Sequence, residues 1–229
     1  EAIYSGMTPG YIKKFYSLKD ISIDLQRLCF NAGATFIKDK VIKLDSKNQI
    51  IYLNDNPSIS YDVLSINSGS ISNNQTISVD EESNIISAKP ISSFVSKLKE
   101  IDDIIKKSSK KKISIIGGGV AAFELSFALY KRYDENISID IISDQILAEK
   151  NLNISTINRL KKIANNLGIN LILNKVITIN KSEIALDNED KIQSDCILLS
   201  TGASLPDWLE KSDLEKTENF IAVNHQLQS

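Results

Sequence analysis

The chain has 229 residues and a mass of 25.4 kDa, with 42% hydrophobic and 24% charged residues, which is enough for one or two globular domains. This composition excludes a wholly disordered chain, a collagen and a disulfide-stapled miniprotein, and no apolar run approaches the ~18 residues that a membrane-spanning helix needs. The 27 basic and 29 acidic residues leave a net charge of −2, which argues against a general nucleic-acid binder.

The first third of the chain predicts short elements joined by loops. In chain order these are a loop over 1–16, a helix over 22–31, strands within 35–44 and over 50–53, a strand over 61–67 that runs into Ser68 and Gly69, and an exposed connector over 70–84. The helix prediction depends on a small apolar face, and the connector prediction on its Ser, Asn and acidic residues.

One apolar stripe predicts a long helix over 91–105, with Pro90 suited to its first turn. The stripe consists of Ile91, Phe94, Val95, Leu98, Ile101, Ile104 and Ile105. Five lysines follow within 106–112. We interpret them as a solvated helix exit favoured by the helix dipole, with a phosphate or nucleic-acid patch as the alternative.

From residue 112 onward, strand and helix patterns alternate. Strands are predicted over 113–116, 137–142, 171–173 and 197–199, helices over 121–132 and 154–167, and a meander over 176–186. Such alternation predicts an α/β fold with a parallel sheet covered by helices.

Three consecutive glycines stand out, because the whole chain contains only nine. Gly117, Gly118, Gly119, Val120, Ala121 and Ala122 fit the pattern G-x-G-x-x-G/A directly between a predicted strand and a predicted helix. In that pattern the first glycine allows a tight turn, the second lets the backbone approach a diphosphate, and the last small residue lets helix and strand pack closely. The alternative is a glycine-rich turn that serves packing alone.

The end of the second strand of this motif normally carries an acidic residue for the adenine ribose. Here Ser143 occupies that place and Asp144 follows it. Asp144 favours NAD, whereas Ser143 leaves room for a 2′-phosphate, so the choice between NAD and NADP stays open.

Side chains for other chemistry are scarce. The chain has two cysteines, Cys29 and Cys196, and one histidine, His225. These are too few for a Cys/His zinc site and include no Cys-x-x-Cys pair, so we predict no metal and no catalytic side chain. We interpret both cysteines as apolar packing residues, and the low count fits a reducing, cytoplasmic compartment.

Three motifs in succession resemble the FAD-dependent pyridine nucleotide-disulfide oxidoreductase superfamily. They are Tyr61-Asp62-x-Leu64-x-x-x-Ser68-Gly69, Gly117-x-Gly119-x-x-Ala122-x-Glu124 and Asp195-x-Ile197-x-x-x-Thr201-Gly202-Ala203. The missing cysteine pair makes the type II NADH dehydrogenase-like branch the better match. Ser5-Gly6-Met7-x-Pro9-Gly10 and Thr201-Gly202-Ala203-x-x-Pro206-x-Trp208-Leu209 resemble the subgroup found alone or fused ahead of selenophosphate synthetase.

This resemblance implies a Rossmann-like, three-layer NAD(P)-binding domain over 86–208, inserted into a partial FAD-binding domain over 1–85 that resumes at 209–229. It implies FAD contacts at Val41, Ser68 and Gly69, a glutamate near the nicotinamide–flavin contact at Glu124, and a further cofactor motif at Thr201, Gly202 and Ala203. The first FAD glycine motif and the later Gly-Asp motif of the family are not in the sequence, so we expect a fragment that binds FAD weakly or not at all.

The resemblance also implies a function for the intact parent: hydride passes from NAD(P)H to flavin and on to a quinone or small-molecule acceptor. The alternative is a non-catalytic, nucleotide-sensing module of a selenophosphate synthetase fusion. The resemblance leaves open whether the intact parent contacts a membrane surface and whether it forms a homodimer. No nucleic-acid partner is expected.

Overall fold

The structure is a computed structural model that describes residues 1–73, 77–80, 83, 85–106, 110–147, 152–217 and 220–229. Part of the lysine run, 107–109, lies outside these residues. The chain divides into two compact units: unit 1 consists of Glu1–Ile23 and Ser72–Gly202, and unit 2 of Asp24–Ile71 and Ala203–Ser229.

Short elements make up the first 72 residues. They are β1 (Ala2–Ile3), α1 (Thr8–Ile12), α2 (Leu18–Ile21), β2 (Ser22–Ile23), α3 (Leu25–Asn31), β3 (Val41–Asp45), β4 (Ile50–Leu53), β5 (Ile59–Ser60) and β6 (Ile71–Ser72). Strands β3, β4 and β5 form an antiparallel sheet in unit 2. Helix α3 begins later than predicted because the Asp24 carboxylate caps it, accepting from the Arg27 amide at 3.0 Å.

Longer elements follow in unit 1. They are β7 (Ser78–Val79), β8 (Ile85–Ser87), α4 (Ile91–Ile105), β9 (Lys111–Ile116), α5 (Val120–Tyr133), β10 (Ile137–Ser143), α6 (Ile154–Asn166), β11 (Asn170–Leu173), β12 (Val176–Asn180), β13 (Glu183–Leu186), β14 (Lys191–Gln193) and β15 (Cys196–Leu199). Unit 2 ends with β16 (Ala203–Ser204), α7 (Asp207–Glu210), β17 (Lys216–Thr217) and β18 (Phe220–Ile221).

A five-stranded parallel sheet with the order β11-β10-β9-β15-β8 forms the centre of unit 1. Strand β9 lies between β10, which follows it through α5, and β15, which comes later in the chain. The strand order therefore changes direction at β9, and in open α/β sheets ligands bind outside the carboxyl ends of the strands at such a point.

Each face of this sheet buries its own core. Ile113 and Ile115 of β9 and Leu198 of β15 pack in one cluster with residues of α4, α5 and α6. Ile116 and Leu199 point to the other face, because side chains alternate along a strand. That second face is covered by the meander β12-β13-β14 and by β7, which pairs with β12 in parallel. The fold is thus three-layered, with helices on one face and a small sheet on the other.

Three of the sequence predictions in the first third are wrong. The connector predicted over 70–84 contains β6 and β7, and its Ser72 is buried. The segment 61–67 forms no strand: no strand of the described residues pairs with it, and Val63 is 89% exposed. An apolar run without a partner strand or a core has nothing to hold it in a sheet. The predicted loop over 1–16 contains α1, with Pro9 in its first turn.

The described residues contain no helix that is long and apolar enough to cross a bilayer.

Candidate nucleotide-binding site

The carboxyl ends of the central strands meet at one edge of the unit 1 sheet. The register places Ile116 of β9 beside Ile142 of β10 and Leu199 of β15. Backbone hydrogen bonds continue past these strand ends: the Gly117 amide donates to the Ile142 carbonyl at 2.9 Å, and the Ser200 amide to the Ile116 carbonyl at 2.8 Å. These bonds fix the loops around a cavity of about 510 Å³.

The first two glycines of the turn are required by close backbone neighbours. Gly117 has φ +130°, and a Cβ there would lie 2.2 Å from the Ser200 carbonyl oxygen. A Cβ on Gly118 would lie 1.8 Å from the carbonyl oxygen of Gln145, in the loop after β10. The Leu147 amide also donates to the Gly118 carbonyl at 2.8 Å. The turn is therefore packed between two neighbouring loops, and no side chain fits at either position.

The third glycine opens α5. Gly119 is its N-cap with φ −78° and ψ 175°, and the Gly119 carbonyl accepts from the Ala122 amide at 3.0 Å. The amides of Gly119 and Ala121 belong to the first turn, where no intrahelical acceptor exists, and no described group accepts from either. These free amides lie at the positive end of a fourteen-residue helix, an arrangement that favours a negatively charged group.

One end of the cavity lies at the carboxyl ends of β10 and β11. Ser143, Asp144 and Lys175 all line it, because the Asn174 amide donates to the Ser143 carbonyl at 2.9 Å and holds the two strand ends together. Asp144 and Lys175 are exposed. The Lys175 ammonium has no carboxylate partner within the described part of the chain. A carboxylate and an unpaired ammonium therefore face the same space.

The opposite end lies at the carboxyl ends of β8 and β15. Lys89, Ser200, Thr201 and Gly202 line the cavity there. A hydrogen bond from the Ala88 amide to the Leu199 carbonyl at 2.8 Å sets the distance between the two strand ends. Among the residues described, no acidic group pairs with the Lys89 ammonium, which adds a positive charge near the α5 N-terminus.

The residues singled out from the sequence fall into three groups. Those that line the large cavity are Gly117, Gly118, Gly119, Val120, Ala121, Ser143, Asp144, Thr201 and Gly202. Ala122 is fully buried beneath the turn, and Glu124 is exposed and lines a second cavity of about 110 Å³. Those that belong to unit 2 are Val41, Ser68, Gly69 and Ala203.

Sequence reasoning missed the two lysines of the large cavity. Lys89 follows β8, and Lys175 comes two residues after β11. A search for basic residues just beyond the carboxyl ends of the predicted strands would have found Lys175, which follows the strand predicted over 171–173. It would have missed Lys89, because the sequence analysis predicts no strand where β8 lies. The acidic-residue motif of the second strand finds neither lysine, because it considers only the residues after β10.

The thiol of Cys196 contributes no chemistry to this site. Burial raises the pKa of Cys196 to about 12, helped by the negative charges of Asp195 and Glu100. The thiol therefore stays protonated at neutral pH and is a poor nucleophile. Cys196 packs in the helix-side core of unit 1, as an apolar residue would.

Comparison with known proteins gives one family match and several similar folds. A family model described as pyridine nucleotide-disulphide oxidoreductase matches residues 12–229. No curated protein sequence matches the chain. Similar solved structures include the reduced CoADR-RHD of Bacillus anthracis, with a TM-score of 0.80 and 18% identity over 99% of this chain and 42% of that one.

Two further similar structures have a reduced nucleotide bound. The water-forming NADH oxidase of Lactobacillus brevis bound to NADH has a TM-score of 0.76 and 17% identity, over 94% of this chain and 48% of that one. The NDH2 of Plasmodium falciparum in complex with NADH has a TM-score of 0.75 and 16% identity, over 92% and 50%. This chain thus spans about half the length of these structures or less, and at such identities the likeness shows the fold.

Proposed function

The chain belongs to the pyridine nucleotide-disulphide oxidoreductase family, and we propose that it is the NAD(P)H-binding portion of an FAD-dependent oxidoreductase. The observation that carries this proposal is the glycine turn at the switch point of the sheet, where unpaired amides of Gly119 and Ala121 border a cavity of about 510 Å³. The NADH-bound oxidase and NDH2 structures of similar fold support the choice of ligand.

The proposed pose follows from the two ends of the cavity. The diphosphate lies over Gly117, Gly118 and Gly119, where the helix dipole and the Lys89 ammonium offset its charge. The adenosine lies toward Ser143, Asp144 and Lys175. The nicotinamide then extends past Thr201 and Gly202 toward Glu124. In this arrangement the chain binds and orients the hydride donor.

For FAD, the residues assigned by motif are Val41, Ser68 and Gly69 in unit 2. Ser68 and Gly69 are exposed, Gly69 has φ +74°, and the space around its Cβ position is open to 4 Å. Their backbone amides have no partner among the described residues and are available to a ligand, so these positions fit a bound flavin nucleotide. Bound flavin would supply the capacity to accept a hydride and pass electrons on.

We assign the segments 1–85 and 209–229 to the FAD-binding part and 86–208 to the NAD(P)H-binding part. The electron acceptor is a quinone or a small molecule in this proposal, and the compartment is the cytoplasm. The association with selenophosphate synthetase stays a prediction from motifs. No protein acid–base pair is required, because the two cofactors carry out the hydride transfer.

Titration calorimetry with ADP-ribose, NADH and NADPH tests the proposed site. Gly119→Glu is expected to reduce the affinity for each ligand at least 100-fold, because a carboxylate would occupy the diphosphate position. Gly119 has an extended, negative-φ conformation, so the variant is expected to fold. Ser65→Glu, an exposed position in unit 2, adds the same charge as a control and should leave all three affinities unchanged. Equal affinities in the Gly119→Glu variant and the unaltered protein would contradict the proposal.

NADH oxidation by the longer natural protein, with added FAD and a quinone or dye, tests the oxidoreductase assignment. Turnover that depends on both additions is expected. Nucleotide binding without turnover under any of these conditions would contradict the assignment and favour a sensing role.

A further inference from the structure

A second, smaller cavity of about 110 Å³ lies between α1 and the first turn of α5. It is several times larger than the ~10–15 Å³ that one water needs by the same kind of measure. It shares Lys89, Ala121, Ser200 and Thr201 with the large cavity, so the two are adjacent. Ser143, Asp144 and Lys175, at the adenosine end, do not line it.

The walls of this cavity are mainly apolar. Pro9, Ile91, Phe94 and Leu125 contribute hydrocarbon surface, and Phe94 is fully buried. Glu124 of α5 lines the same space at its exposed side. A small, largely apolar group that carries a polar substituent is therefore the class of ligand that matches these walls.

One buried polar atom in this cavity has no partner. Thr8 lines it and is 3% exposed, and its side-chain oxygen Oγ1 makes no hydrogen bond in the described structure. Buried hydroxyls are nearly always hydrogen-bonded, since an unsatisfied one costs free energy. The next residue, Pro9, has no N–H to donate. The Thr8 hydroxyl is therefore available to a ligand.

We propose that the small cavity takes the nicotinamide ring of the dinucleotide and that the Thr8 hydroxyl hydrogen-bonds its carboxamide. This inference rests on the proposed function, because the diphosphate must occupy the adjacent turn. The ring packs on the apolar walls, and the carboxamide reaches the one unsatisfied hydroxyl among them. Thr8 comes from the N-terminal segment, which lies outside the glycine motif, and it fixes the orientation of the ring.

The test compares ligands that all contain the diphosphate and that either carry or lack the nicotinamide ring. ADP-ribose lacks nicotinamide, whereas NADH and NADPH contain it. Thr8→Val removes the hydroxyl and keeps the shape. It is expected to lower the affinity for NADH or NADPH about tenfold in titration calorimetry and to leave the affinity for ADP-ribose unchanged. Thr8→Ser keeps the hydroxyl and is expected to retain the dinucleotide affinity.

Ser114→Ala is the matched control. Ser114 Oγ is the other buried side-chain atom without a partner among the described residues, but Ser114 lines neither cavity. This variant should leave every affinity unchanged. Thermal unfolding of each variant, measured alongside, separates a loss of fold from a loss of binding.

The outcomes separate the two proposals. A selective loss of dinucleotide affinity in Thr8→Val, rescued in Thr8→Ser, supports the role of Thr8. If Thr8→Val weakens neither ligand, or both equally, ordered water fills the cavity or the effect is structural; the role of Thr8 is then wrong while the diphosphate site stands. If the unaltered protein binds neither ADP-ribose nor a dinucleotide, both proposals are wrong.

Discussion

The two units of this chain differ most in how they bury apolar side chains. Unit 1 builds a core on both faces of a five-stranded sheet, with residues such as Ile115 and Leu198 fully buried. In unit 2, Leu44 and Leu209 are the only buried apolar side chains of the described residues, while Phe30 is 82% exposed.

Local sequence patterns predict structure better where such a core exists, although α1 of unit 1 formed within a predicted loop. In unit 1 each predicted strand and helix has a core to pack against, and each one formed. In unit 2 the apolar pattern of 61–67 did not produce a strand. The glycine turn that we propose to bind a diphosphate also lies in the well-packed unit, and a preorganised site needs such support.

The largest expected effect on stability compares one leucine from each unit. Leu198→Ala, in the middle of β15, should lower the free energy of unfolding by about 3 kcal/mol because it leaves a cavity in a closed core. Leu28→Ala, where the leucine is 56% exposed on α3, should change it by less than about 0.5 kcal/mol. Urea unfolding followed by circular dichroism measures both. Equal changes in the free energy of unfolding for the two variants would contradict the proposed difference in packing between the units.

A smaller effect is expected from a polar cluster that joins α4 to α5 in unit 1. Arg132 Nε and Nη2 donate to the two oxygens of Asp102 at 2.8 and 2.6 Å, and the Tyr133 hydroxyl donates to Asp102 at 2.9 Å. Burial acts to raise the pKa of Asp102, but these hydrogen bonds outweigh it and the pKa is lowered. Arg132→Met should cost about 2 kcal/mol at pH 7, because it leaves a partly buried carboxylate unpaired.

The pH dependence of this cluster has a defined sign. Because the pKa of Asp102 is lower in the folded state, its carboxylate stabilises the fold at pH values above the ordinary aspartate pKa of ~3.9. This stabilisation is lost as pH falls through the folded-state pKa. In Arg132→Met, burial is opposed only by the Tyr133 hydroxyl and the charge of Lys14, so the pKa of Asp102 is higher than in the unaltered protein and acid costs the variant less stability. The stability gap between the two proteins should narrow from pH 7 to pH 4. Lys211→Met, which removes an exposed ion pair of unit 2, should show a constant, near-zero gap; a gap of Arg132→Met that widened in acid would contradict this account.

The smallest expected effect concerns nucleotide choice. Asp144→Ala removes a carboxylate that can bond the ribose 2′-hydroxyl and repels a 2′-phosphate. Lys175→Ala removes the unpaired cation from the same end of the cavity. The ratio of NADPH to NADH affinity should rise five- to tenfold in the first variant and fall in the second. Lys161→Ala, an exposed lysine of α6 outside the cavity, serves as control. Shifts in the same direction for both variants would place the adenosine elsewhere.

Much of unit 1 could be predicted from the sequence because its signals are local. The helical period over Ile91–Ile105 predicted a helix, and the apolar runs of β9, β10 and β15 predicted strands. The predicted ends lie within one or two residues of the observed ones. The glycine turn was recognisable because three consecutive glycines occur only once in this chain.

The features that could not be predicted depend on contacts between distant segments. The two-residue strand β7 exists only through its pairing with β12, about a hundred positions away. Gly118 is required by the Gln145 backbone, and Lys175 reaches the cavity only through the strand order. The unsatisfied hydroxyl of Thr8 follows from its burial, which no local pattern encodes.

Hydrogen exchange with and without saturating ADP-ribose tests the central claim most directly, because it reports on the amides proposed to bind the diphosphate. The account predicts slower exchange for peptides covering 117–122, a smaller effect over 143–145, and no change in unit 2. Tight binding of ADP-ribose with unchanged exchange over 117–122 would contradict it.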